Sequence, residues 1–129
     1  MFVSLGFALW ENISYVFSFG FSTALVRAVT AIPGHASFGV FMGVFYGIAK
    51  KYDYRGNAPA SAFFRFIAVL LPAVFHGAYD FIATTTAANE MTYFLVFIAV
   101  MFILSYTLVG RNARNDRYID YPQYRIDNE

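Results

Sequence analysis

The sequence has no cysteine in its 129 residues, so disulfides, thiolate nucleophiles and cysteine-ligated metals are all excluded. Charge is nearly as scarce, with 13% Asp, Glu, Lys and Arg against roughly 25% in an ordinary soluble domain. The net charge is +1, and no basic stripe is present to meet a phosphate backbone, which argues against nucleic acid as a partner. No basic stretch follows Met1, so the first apolar run is expected to be a span and not a removable leader.

Apolar residues take the place of the missing charge. They make up 59% of the chain and aromatics 21%, with 16 Phe and 10 Tyr. A small domain leaves much of its surface exposed, so a chain of this length could not hide that much apolar side chain from water. Lipid is the expected solvent, and an all-α polytopic bundle the expected fold.

A helix needs about 20 mostly apolar residues to cross the hydrocarbon core. Four stretches suggest themselves: Phe2 to about Phe21, from after Pro33-Gly34 to about Ala49, Ser61 to Thr84, and Thr92 to Gly110. Residues 1–110 thus read as the transmembrane bundle and 111–129 as a polar tail, with Tyr118, Tyr121 and Tyr124 spaced by three. Lys50, Lys51, Arg55 and Arg65 gather around the second connection, and Arg111, Arg114 and Arg117 follow the last span. Basic residues collect on the cytoplasmic side, which predicts cytoplasmic termini and a multi-pass membrane protein. In the second span Gly39, Gly43 and Gly47 form one smooth helical stripe, the kind of surface that lets another helix approach backbone to backbone. The partner is expected within the bundle or on another subunit.

The ionisable residues inside the spans carry the chemistry. A charge in the bilayer centre costs a few kcal/mol or more unless it is paired or hydrated. Glu11 and Asn12 fall halfway along the first span, and Tyr15 lies one turn on. His76 and Asp80 share one face of the third span. Pro72, one turn earlier, should bend that helix and free backbone groups. His35 follows Pro33 at the start of the second span. If the third span runs outward, His76 sits about 22 Å along it at 1.5 Å per residue. His35 opens an inward-running span, so both histidines and the two acids are expected to converge in the outer half of the bilayer. A relay or small transporter would use such groups too, but no inverted repeat of broken helices is visible.

The run Gly6-Phe7-Ala8-Leu9-Trp10-Glu11-Asn12-Ile13-Ser14-Tyr15 resembles the "GFA-x-x-EN-x-x-Y" segment of the PrsW family of intramembrane proteases. Arg27, Pro33-Gly34-His35-Ala36 and His76-Gly77-Ala78-Tyr79-Asp80 follow in the family's order. The family is in turn similar to the CAAX prenyl protease and bacteriocin-processing superfamily. The resemblance implies site-1 cleavage of membrane-anchored substrates, such as anti-sigma factors, near the extracytoplasmic face. It implies Glu11, His35, His76 and Asp80 as catalytic residues, with Asn12, Tyr15 and Arg27 in support. His35 would help activate water, His76 and Asp80 would bind the tetrahedral intermediate or a metal, and Glu11 would orient or polarise. A divalent metal such as zinc on His35 and His76 and a metal-free site fit the same residues. The family's Glu-Glu-x-x-Lys motif, upstream of these segments, has no counterpart in the sequence. A fragment, a truncated homologue and a degenerate member are all compatible with that. The alternative function is a non-catalytic membrane subunit packed within a larger complex.

Overall fold

The computed structural model describes residues 2–85 and 90–115, and its regular structure there is helical throughout. Five helices follow one another: α1 (Phe2–Phe19), α2 (Phe21–Val29), α3 (Ala31–Tyr54), α4 (Ala58–Thr84) and α5 (Glu90–Arg114). Helices are the natural outcome in lipid, where every backbone N–H and C=O must find its partner within the chain.

Three of these helices are long and apolar enough to cross a membrane: α3, α4 and the part of α5 from Met91 to Arg114. The fourth expected span corresponds to α1. Its 18 residues reach about 27 Å at 1.5 Å per residue, and Glu11 and Asn12 interrupt its apolar character.

The first apolar run does not continue to Phe21 as one helix. It breaks at Gly20, whose backbone has φ 87 and ψ 171, a region essentially closed to residues with a Cβ. The chain then makes α2, nine residues long, with Arg27 in its last turn. This separate short helix is absent from the four-span reading. At the next junction the Thr30 carbonyl accepts from Gly34 N–H at 3.1 Å. Pro33 is tolerated because first-turn N–H groups have no intrahelical acceptor to lose.

The turn between α3 and α4 is set by Gly56 at φ 71, the left-handed conformation that commonly ends a helix. Asn57 then caps α4, its Oδ1 accepting from Ala60 N–H at 3.1 Å. Asp53 pairs here with Arg65, and with Lys50 at 3.7 Å. α4 runs on through Pro72, which leaves the buried Ala68 carbonyl, four residues earlier, without its usual donor.

α3 is the hub and packs against all four other helices. Ala31, Phe38 and Phe41 of α3 join Tyr79 of α4 and Ile98 and Met101 of α5 in the core. Large apolar side chains such as Phe2, Phe17, Phe66 and Ile103 point outward, as they should where lipid is the solvent.

Lys51 of α3 and Asn112 and Asn115 near the end of α5 line one groove, so the basic clusters lie at the same end of the bundle. Gly39, Gly43 and Gly47 line that groove as well. A methyl group at Gly43 or Gly47 would meet nothing within 4 Å, so no described helix presses on these positions. The close approach expected of the stripe is therefore not made there by a described helix. α5 extends to Arg114, four residues into the expected tail. Tyr118, Tyr121 and Tyr124 lie outside the described residues.

Candidate active site

Four helices converge away from the basic end. α1 contributes Glu11, α2 Arg27, α3 His35 from its first turns, and α4 His76 and Asp80. Gly20 makes this convergence possible. By ending α1 it lets α2 turn back, so that Arg27, sixteen residues along, reaches Glu11.

Glu11 stands at the centre. Its Oε2 lies 3.0 Å from Arg27 Nη2 and 3.0 Å from His35 Nε2. Its Oε1 is 3.6 Å from His76 Nε2. His76 Nδ1 in turn meets Asp80 Oδ2 at 2.9 Å, so Asp80 acts on the site through the ring it holds. This largely buried carboxylate is thus matched by a permanent cation and two imidazoles, which offsets much of its desolvation.

The imidazoles are held as a pair. Their ring centroids lie 4.9 Å apart, and Phe7 and Phe38 each pack against both rings at 5.6 to 5.8 Å. The Ser4 hydroxyl donates to the His35 carbonyl, tying α1 to the start of α3. Arg27 lies over the Tyr15 ring, 3.9 Å from its centroid, a cation–π contact that adds to the hold on the guanidinium. Tyr79 donates to Thr30 Oγ1 at 3.3 Å, joining α4 to the α2–α3 junction.

All four residues expected to be catalytic are therefore brought together, along with Arg27 and Tyr15. Tyr15 meets the site by stacking on Arg27. Asn12 has a buried carbonyl oxygen with no hydrogen-bond partner among the described residues. The glycine stripe runs away from the site, from Gly39, one turn beyond His35, toward the basic end. Sequence reasoning missed Ser4, Phe38 and Thr30, and did not foresee that Arg27 pairs directly with Glu11. A lone glycine between two apolar runs is also tolerated inside a helix, so the sequence carried no signal for the turn that makes that pair.

The donor set also bears on a metal. One ligand atom each from Glu11, His35 and His76 lies within 4.8 Å of the others. Two histidines and a glutamate are a familiar ligand set of catalytic zinc, with bonds of about 2.0–2.2 Å, so the three need only small side-chain movements to share an ion. His76 Nε2 is buried without a hydrogen bond, and its other nitrogen is held by a carboxylate, the usual arrangement behind a metal-bound histidine. The residues fit a metal, and Glu11 joins the two histidines expected to bind it.

A model of the family described as "PrsW family intramembrane metalloprotease" matches residues 1–106. "Protease PrsW" of Clostridioides difficile (strain 630) is 34% identical over 129 residues, covering 97% of this chain and 53% of that protein. "Protease PrsW" of Bacillus subtilis (strain 168) is 36% identical over 99 residues, 77% of this chain and 43% of that protein. "Protease PrsW" of Oceanobacillus iheyensis is 42% identical over 81 residues, 62% of this chain and 35% of that protein. The chain spans about half the length of the curated relatives it matches. No solved structure matches it. With bacterial relatives and three helices able to cross a membrane, it is a multi-pass integral protein of the bacterial plasma membrane. The chain belongs to the PrsW family of intramembrane metalloproteases.

Proposed function

We propose that this chain carries the hydrolytic centre of an intramembrane endopeptidase that cleaves membrane-anchored proteins near the extracytoplasmic face. The observation that carries the reading is the meeting of Glu11, His35 and His76 from three different helices, with no ligand atom more than 4.8 Å from another. Such polar convergence is expensive in lipid and needs a reason. The extracytoplasmic placement rests on the basic residues at the opposite end of the bundle.

His35, His76 and Glu11 would hold a divalent cation such as zinc, which when bound supplies Lewis acidity and a more acidic water. The protein groups around them have separable tasks. Asp80 accepts from His76 Nδ1–H, which leaves the lone pair on Nε2 facing the centre. Arg27 balances the Glu11 charge and keeps its carboxylate turned toward the histidines. Phe7 and Phe38 limit the motion of both rings and keep bulk water from them. In a metal-free site His35 would take the proton of the attacking water, and His76, carrying a proton on each nitrogen with Asp80 as counter-charge, would donate from Nε2 to the developing oxyanion.

The test is cleavage of a membrane-anchored reporter in proteoliposomes by the full chain, by His35→Ala and by His76→Ala. Cleavage that either substitution abolishes is the expected result. An inert wild-type chain, or cleavage indifferent to both substitutions, would sink the reading. One observation favours a second role. The open groove beside Gly43 and Gly47 suits a packing surface for a further membrane helix, as in a non-catalytic subunit. An inert chain that purifies in fixed ratio with another membrane protein would support that role.

A further inference from the structure

A cavity of about 270 Å³ opens beside the centre, between α2, α4 and α5. Arg27, Asp80 and Tyr15 of the site are among its lining residues. Thr23, Thr30 and Thr84 also line it, and Val26, Ile82, Ala83, Met91 and Phe94 supply its apolar surface. A pocket for a small-molecule ligand runs from about 300 to 1,000 Å³, so this one is sized for a single side chain with its peptide unit. Arg27 is only 8% exposed, and its Nε is buried without a partner among the described residues. Its guanidinium charge at this cavity favours a peptide carbonyl beside it.

A second cavity, of about 300 Å³, lies against the two histidines and is lined by Val3, Phe7, Phe38 and Val69 among others. The centre therefore has an almost wholly apolar cavity along one flank and a mixed polar and apolar one along the other. His35 and His76 line the second cavity and Arg27 and Asp80 the first, so a peptide occupying both would span the centre.

We propose that the cavity between α2, α4 and α5 is the substrate subsite next to the scissile bond, taking one large apolar side chain while the Arg27 guanidinium faces the adjoining peptide carbonyl. The inference rests on the protease reading and adds a specificity-determining surface to it. Ala83 and Met91 are the residues that set its size. Both are exposed, and neither belongs to the centre.

The experiment uses the full chain in proteoliposomes with a membrane-anchored reporter. One residue on the extracytoplasmic flank of the reporter's anchor is varied through Gly, Ala, Leu, Phe and the photoreactive p-benzoylphenylalanine. The wild type is expected to prefer Leu and Phe. Ala83→Trp should shift the preference to Gly and Ala by roughly 10-fold or more, through KM more than kcat, and Met91→Ala should shift it toward Phe. Photo-cross-links from the reporter should fall on Val26, Ile82, Met91 or Phe94 and vanish in Ala83→Trp. Unchanged preference in both variants, or cross-links confined to other helices, would overturn the proposal. Cross-links to these residues without cleavage by the wild type would keep the subsite and count against the protease reading alone.

Discussion

Arg27 and Glu11, sixteen residues apart on two different helices, meet at 3.0 Å with their side chains 10% and 20% exposed. The pair is therefore out of reach of most water, and removing one partner strands the other. Replacing Arg27 by Met leaves a carboxylate with only imidazoles to face. Breaking a buried pair in this way costs about 3–5 kcal/mol, and the two histidines should keep this case toward the lower end. Glu11→Gln combined with Arg27→Met is expected to recover part of the loss. Unfolding in a mild detergent, run as a double-mutant cycle, measures the coupling. Additive losses would show that the pair contributes nothing to stability.

Gly20 is the hinge that makes the pair possible. Its φ of 87 with ψ 171 belongs to a region where a residue with a Cβ is strained by about 1–3 kcal/mol. Gly20→Ala should lose that much stability and move α2, so that a probe on α2 reports greater distance from α1. Gly6→Ala is the control, since a methyl there meets nothing within 4 Å. Equal behaviour of the two variants would remove Gly20 from this role.

The fold was legible in the sequence wherever lipid dictated it. Long runs of Phe, Val, Leu and Ala over α3, α4 and α5 could only be helices crossing a membrane, and the charges at Lys50, Lys51 and Arg111 marked their ends. The site was legible for a related reason. Glu11, His35, His76 and Asp80 are conspicuous because so little else in these helices ionises, and helical rise alone brought them to similar depth. The separation of α2 from α1 was not legible, since Phe19-Gly20-Phe21 is as apolar as the helices it divides. Only the backbone conformation at Gly20 reveals the turn, and with it the direct contact of Arg27 with Glu11. The glycine stripe reads as a smooth face, but a sequence shows the face without showing what lies against it.

That face yields a prediction of its own. With nothing within 4 Å of a methyl at Gly43 or Gly47, Gly43→Ala should raise the stability of the purified chain by up to about 1 kcal/mol, the helix-propensity gain of Ala over Gly. Gly43→Leu should also be tolerated. If instead Gly43→Leu disperses a larger assembly seen by size-exclusion chromatography, a further helix occupies the groove. A destabilised monomer would contradict the open geometry.

The contact of His76 Nδ1 with Asp80 Oδ2 at 2.9 Å gives the sharpest test of the centre, because it alters no proposed ligand. An ionised carboxylate holds the proton on Nδ1 and leaves the Nε2 lone pair facing Glu11. An amide is a weaker acceptor and can turn its NH₂ toward the ring, favouring the opposite tautomer. Asp80→Asn should therefore weaken zinc binding by about 10- to 100-fold, the range typical for loss of a partner behind a ligating histidine. Asp80→Glu should restore part of it. Competition with a chromophoric chelator reads the affinity directly, with no substrate needed. His35→Ala should lose far more, as a proposed ligand is gone. Binding that is stoichiometric in the wild type but indifferent to Asp80→Asn would detach this carboxylate from the metal. If the wild type binds no zinc at all, the metal-free assignment of His35 and His76 is the one to carry forward.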